Sequence, residues 1–508
     1  MSEQEDQDQG AMDAPQTSRK SKLGYLLSFI PMFLLSLTLH LFILFVISLI
    51  PSEGSSKVEE KTIITTFEDK KEEEKVEIIE KIELEVKPTT VDTTVTEETT
   101  KEKEVVVETP VETSTETPNE LMELLPDNTT NNNVSNLAVV GLSGGPSGGG
   151  MPTGYGNRSG KNKSKAINKG GGDAKSEASV DMALQWLALH QEPDGSWDAK
   201  KYEGDVEDKG NITAAALLAF LGAGHNESAG KYKNNVKNGI KYLNQLMADP
   251  KIFNNPRFHN NYGNALVLMA LAENTIFGAA PTTKKNANRM AEVFIAQYMK
   301  DPEKGGWGYG GAGDDLSVSG WVALGLKSAK AADLPAMHSA EAKKVFDKYK
   351  VWVDKVMTIP ETGMGLYRPA GAGAHGGGKG TAHMAWVGMF NKQFLGFPLN
   401  DPFLKKASEI SINFVKSNNW IGADKLGDVY GIYYGTLAAF QQQGPMWEAW
   451  NPAMKKTVVG SQKLGDPKEL GGSWDPTKGH TAEKGGRVLT TALFALCLEV
   501  YYRYDMMH

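Results

Sequence analysis

The chain has one cysteine in 508 residues, Cys497, inside the apolar run ALFALCLEV. No disulfide and no cysteine-rich zinc site can be built within one such chain, so cysteine usage leaves the redox compartment open. Metal-binding signatures are missing as well. His375, His383 and His480 fall in Gly-rich loops or at helix starts, without H-E-x-x-H or a similar ligand spacing. They could line a cavity, but neither a metal nor a cofactor is expected. Charge is absent from residues 23–50, which contain no Asp, Glu, Lys or Arg. The formal net charge is −8, yet residues 51–120 hold 21 acidic against 9 basic side chains, so the remainder is slightly basic. That balance gives the folded part no reason to bind nucleic acid.

The uncharged stretch is long enough to cross a bilayer, for which about 20 apolar residues suffice. Pro31 interrupts it early, leaving Phe33–Ile50 as the spanning core. No short apolar core followed by an A-x-A-like site marks a cleaved signal peptide. Arg19, Lys20 and Lys22 precede the span, and Lys57 is the nearest base after it. The positive-inside rule then places residues 1–22 in the cytoplasm and everything beyond residue 50 outside it. The expected location is an inner membrane crossed once by residues 23–50, with the bulk of the chain in the periplasm or an equivalent extracytoplasmic space.

Residues 51–175 read as a linker: a Glu/Lys/Thr/Val tract, then NTTNNNVSN, then a Gly-rich basic stretch with Arg158, Lys161, Lys163, Lys165 and Lys169. Such compositions bury too little apolar surface to offset chain entropy. From 176 to 508 the texture changes. Small-residue helices begin near Thr213, Tyr262, Ser319, Thr381, Tyr434 and Thr490, at spacings of 49, 57, 62, 53 and 56 residues. An amphipathic helix precedes each one. Six helix pairs at a near-constant period predict a closed helical array, because one pair cannot bury its own apolar face.

The loops repeat too: QEPDGSWD at 191–198, GGSWD at 471–475 and the looser KGGWGY at 304–309. Ala183, Trp186, Leu187, Gln191, Gly195 and Trp197 together resemble the QW motif of squalene and oxidosqualene cyclases, with Met182 where a basic residue is expected. The resemblance implies an all-α toroid of the squalene-cyclase and prenyltransferase kind over 176–508, six inner helices ringed by six outer ones. In it Trp186, Gln191, Gly195 and Trp197 are structural. Glutamine satisfies backbone groups at a helix end, and tryptophan supplies buried area.

Asp314 and Asp315, in GGAGDDLSVSGW, stand where the cyclases carry a D-x-D-D acid motif, but Ala312 replaces its first Asp. They are the catalytic candidates, weighed against a helix-capping role for which Asp is a preferred residue. The zinc set of protein prenyltransferases is not assembled, since Ala495 precedes Cys497, and the G-C-G-E-Q thioester motif is absent. All inner helices should run the same way, gathering their amino termini at one rim. Asn211, His259, Asn261, Ser317, His375, Asp428, Tyr430 and Arg487 join the two aspartates there as candidate ligand contacts.

Within the span, Ser36 and His40 lie four residues apart on one helical face. An ionisable group inside a membrane points to function. The arrangement is similar to the anchor of TonB-type energy transducers, which implies ExbB/ExbD-type motor proteins as partners. The sequence thus presents a membrane-anchored toroid that binds an unknown ligand at its mouth and is coupled to a proton-driven motor. The alternative is a divergent class II terpene cyclase or prenyltransferase-like enzyme.

Overall fold

The computed structural model describes residues 153–249, 260–371, 380–417 and 428–505. The span expected at 23–50, with Ser36 and His40, lies outside the described residues, as do 1–22 and 51–152. Among the described residues no helix is long and apolar enough to cross a membrane.

After a helical turn at Thr153–Gly156, the body is built from helices α1 (Gly160–Gly170), α2 (Ala174–Leu189), α3 (Lys209–Gly222), α4 (Lys233–Ala248), α5 (Asn261–Ile276), α6 (Pro281–Lys300) and α7 (Leu316–Ala331). There follow α8 (Ala340–Trp352), α9 (Ala382–Phe394), α10 (Pro402–Lys416), α11 (Val429–Gln442), α12 (Gly444–Ser461), α13 (His480–Leu498) and α14 (Val500–Arg503). Helices α3, α5, α7, α9, α11 and α13 each pack on the next, and α13 packs back on α3, closing a ring. Helices α2, α4, α6, α8, α10 and α12 surround it. The protein is an all-α toroid with six inner and six outer helices, as the repeat period predicts.

The sequence separates the two layers. Inner helices are apolar or small on every side, as in α3, where Ile212 to Gly222 is buried without a break. Such a helix needs neighbours all round. Outer helices bury one stripe, as in α4, where Val236, Gly239, Ile240, Leu243 and Met247 face inward. Amino-terminal caps fix where inner helices start. Side chains of Asp208, Asn260, Asp315, Thr381 and Asp428 accept from backbone N–H groups of α3, α5, α7, α9 and α11. Helix α13 lacks such a cap and breaks at Gly486, in the left-handed region at φ 60°.

The tryptophan loops form a repeated clamp. Trp197 Nε1 donates to the Leu187 carbonyl at 2.7 Å, and its backbone N donates to Thr213 Oγ1 at 3.0 Å. Trp474 does the same with Val458 and Thr491, and Trp307 with Phe294 and Ser319. Each tryptophan thus ties the end of one outer helix to the start of the following inner helix. Gln191 Nε2 donates to the Gly195 and Asn235 carbonyls at 2.9 Å each. Trp186 stacks on His190 and donates to the Glu469 carbonyl. Gly195 sits at φ 90°, where a side chain would run into Asn238 backbone. All four motif residues are thus engaged in contacts of the scaffold.

One boundary moves. The helical body begins at Thr153, so the 175/176 linker boundary falls inside it. The Gly/Lys/Asn composition of 153–175 offers little apolar surface of its own, but Tyr155, Arg158 and Ile167 bury against the ring. Arg158 Nη1 meets Glu273 at 2.7 Å, and Arg503 Nη2 meets the same carboxylate at 2.8 Å. All three side chains are buried.

Candidate active site at the mouth of the ring

The inner-helix amino termini converge, and the side chains there show it. A Cβ on Gly263 of α5 would touch Asn211 of α3. The Tyr262 hydroxyl faces Thr481 of α13 and the Trp321 indole of α7. Asp428 of α11 lies beside His383 of α9 and His480 of α13. Tyr430 is electrostatically close to both Asp315 and Asp428. The ring is therefore narrow at this level and floored by aromatic side chains. Trp321 and Tyr433 stack at 5.4 Å, and Tyr434 packs edge-on to both.

Two loops decorate the mouth. Strands β1 (Gly306–Gly308) and β2 (Gly311–Gly313) form a hairpin with Tyr309 at its turn, 46% exposed. Asn261 staples that hairpin to α5: its backbone N donates to the Tyr309 carbonyl at 2.8 Å, and Nδ2 donates to the Gly308 carbonyl at 2.8 Å. A second hairpin, β3 (Thr358–Ile359) and β4 (Met364–Gly365), delivers Tyr367 and Arg368. The Tyr367 carbonyl accepts from Leu316 N at 3.0 Å, which seats that loop on the start of α7.

The two aspartates expected to do chemistry occupy different surroundings. Asp314 is gripped by Arg368, Nε to Oδ1 at 2.8 Å and Nη2 to Oδ2 at 3.0 Å, a bidentate pair. Asp315 caps α7. Its Oδ1 takes the Ser317 and Val318 N–H groups at 2.9 and 3.1 Å and the Ser317 hydroxyl at 2.7 Å. All three bonds fall on one oxygen, which leaves Oδ2 clear of the cap. The Tyr367 phenol reaches the same carboxylate; burial first, and then that carboxylate, raises the phenol well above the usual range. Asp428 Oδ1 accepts from Tyr430 N at 3.2 Å. Burial raises the Asp428 carboxyl above the ordinary range, against that N–H and the neighbouring imidazoles, which lower it. Burial pushes the His383 imidazole down, against the pull of Asp428.

Three phenols in the floor are orphaned. The hydroxyls of Tyr430, Tyr433 and Tyr434 are buried with no hydrogen-bond partner among the described residues. An unmade buried hydrogen bond costs about 1–3 kcal/mol.

Of the residues expected at the rim, Asn211, Asn261, Asp314, Asp315, Ser317, Asp428 and Tyr430 are gathered there. Asn261 and Ser317 serve the scaffold. Arg487 is spent elsewhere, with Nη2 2.6 Å from both Asp475 and Glu203. His259 and His375 lie outside the described residues. Tyr262, Tyr309, Tyr367 and Arg368 were not anticipated; an aromatic residue at the second position of an inner helix was the available signal for Tyr262. Among the described residues no three potential ligands cluster as a metal site.

No protein-family model and no curated protein matches the chain. Solved structures do. The chain is similar to an inactive variant of the alpha-1,6-mannanase GH76A of Salegentibacter sp. HEL1_6 in complex with alpha-1,6-mannotriose. Identity there is 13%, coverage is 65% of this chain and 99% of that one, and the TM-score is 0.45. A second structure of that mannanase gives 13% identity, 64% and 98% coverage and a TM-score of 0.42.

These likenesses correct the family expectations. The matched toroids are mannanases, not squalene cyclases or prenyltransferases, and no TonB-type anchor is shown. The reading as a binding module coupled to a TonB-like motor falls, as does its terpene-cyclase alternative. The physical reason lies in the motif itself. Clamp tryptophans, small-residue inner helices and capping aspartates are what any ring of this kind requires, so they report architecture and not chemistry.

Proposed function

We propose that the mouth of the ring binds a saccharide and cleaves a glycosidic bond in it. One observation carries this reading. The unpartnered Tyr430 hydroxyl is electrostatically close to both Asp315 and Asp428, two carboxylates each tethered to a helix amino terminus through a single oxygen. A buried phenol without a partner fits a ligand that brings hydroxyl groups. Paired carboxylates in unlike surroundings fit glycoside hydrolysis, which needs one acid and one base or nucleophile. Tyr262, Tyr309 and Tyr367, all partly exposed, offer ring faces to the C–H face of a pyranose.

In this assignment Asp428, raised by burial, gives its proton to the glycosidic oxygen as the bond to the anomeric carbon breaks. Asp315 acts through Oδ2, either bonding the anomeric carbon or taking a proton from the attacking water. Either route ends with one water consumed and two sugar hydroxyls formed. The test is to incubate the purified full chain with α- and β-linked gluco-, manno-, galacto- and amino-sugar polymers and read new reducing ends by mass spectrometry. Release that disappears in Asp428→Asn and Asp315→Asn supports the reading. No release from any polymer, or release that survives both substitutions, overturns it.

A further inference from the structure

Residues 314–316 meet the pair Tyr367–Arg368 at three points. The Tyr367 carbonyl accepts from Leu316 N at 3.0 Å, the Tyr367 phenol bonds to Asp315, and Arg368 forks onto both oxygens of Asp314. The phenol also faces Tyr309, which the hairpin stapled by Asn261 holds over the mouth. Helix capping alone requires none of this, since Asp315 Oδ1 already satisfies the N–H groups of α7. The additional contacts fall on both Asp314 oxygens, which the cap does not use, and on the Asp315 carboxylate.

Two adjacent carboxylates repel when both are ionised, and a bidentate guanidinium cancels one of them. Arg368 pairs with Asp314 and leaves Asp315 as the carboxylate facing the mouth from α7. An oriented Oδ2 is worth more to a reaction than a mobile one, because small displacements at a reacting centre are costly in rate. Tyr367, whose phenol reaches the Asp315 carboxylate, is the side chain placed to supply that orientation.

We propose that Tyr367 and Arg368 are positioning residues, forming a clasp that holds Asp315 in line for reaction and removes Asp314 from the chemistry. The proposal rests on the glycoside-cleaving reading above. It makes Asp314 dispensable provided Arg368 goes with it, and it separates turnover from binding.

The experiment uses the full chain and the polymer it cleaves fastest. Tyr367→Phe keeps the ring and loses the hydroxyl; kcat should fall at least ten-fold with KM within two-fold. Arg368→Ala should fall further, because it strands Asp314 beside Asp315. Arg368→Ala combined with Asp314→Ala should recover at least ten-fold over Arg368→Ala alone, and Arg368→Lys should lie between. Melting temperatures give a second reading: the double variant should be no less stable than Arg368→Ala. A Tyr367→Phe enzyme with unchanged kcat, or a double variant no faster than the single, overturns the clasp while leaving glycoside cleavage standing. A wild-type chain that cleaves no polymer overturns both.

Discussion

At the scale of single residues, burial sets the character of two carboxyls at opposite ends of the ring. Asp428 at the mouth is the proposed acid, and Asp428→Asn keeps its shape and its cap while removing the proton. Turnover should drop about 10²- to 10⁴-fold, the usual worth of a general acid. A smaller loss measured at saturating polymer would remove Asp428 from that role. Glu499, at the other end, is buried with neither oxygen hydrogen-bonded, and burial pushes its carboxyl up to about 8 despite Arg503, Lys163 and Arg158 nearby. The folded form therefore keeps a proton that the unfolded chain releases near its ordinary value of 4.5. Stability should decline as pH rises between those two values and level off above the upper one, by at most about 5 kcal/mol. Glu499→Gln should flatten that decline. Equal slopes of melting temperature against pH, from 5 to 9, in the variant and the wild type would contradict the assignment.

Elements show how far the sequence carries and where it stops. The six inner helices were legible because full burial imposes small or apolar residues on every face, and repetition made the period visible. The clamp loops were legible because Trp197, Trp307 and Trp474 do one job three times. What remained hidden was the encounter between elements distant in the chain. Nothing local to GGAGDD says that Arg368, 54 residues on, will fork onto Asp314. Capping explains why aspartates stand at helix starts, but only the ring's closure brings Asp315 and Asp428 both near Tyr430. Low apolar content hid the helix at Gly160–Gly170, whose burial depends on surface supplied by others. The clamps make a graded prediction. Trp474→Ala should cost about 3–5 kcal/mol in denaturant unfolding, as for a buried tryptophan. Thr491→Val, which removes only the acceptor for Trp474 N, should cost about 1–3 kcal/mol. Similar costs for the two would mean that the clamp works through its hydrogen bonds and not through ring burial.

For the folded body as a whole, the decisive contact joins its first and last described segments. Arg158 arrives from the turn before α1, Arg503 from α14, and both meet Glu273 near the end of α5. Arg158 also donates to the Leu221 carbonyl and Arg503 to the Leu218 carbonyl at the end of α3, so two inner helices are tied at that end by the same guanidiniums. Breaking a buried ion pair by removing one partner costs about 3–5 kcal/mol, since the charge left behind is desolvated and uncompensated. A chain beginning at residue 176 loses Arg158, the buried Tyr155 and Ile167, and the Asp173–Ser176 capping box of α2. A chain beginning at residue 153 keeps them all. The shorter chain should unfold at least 3 kcal/mol more easily in urea, and Arg158→Ala in the longer one should reproduce most of that loss. Equal midpoints for chains starting at 153 and 176 would show that the ring closes without its first helix, and that the Arg158–Glu273–Arg503 triad is not what holds its ends together.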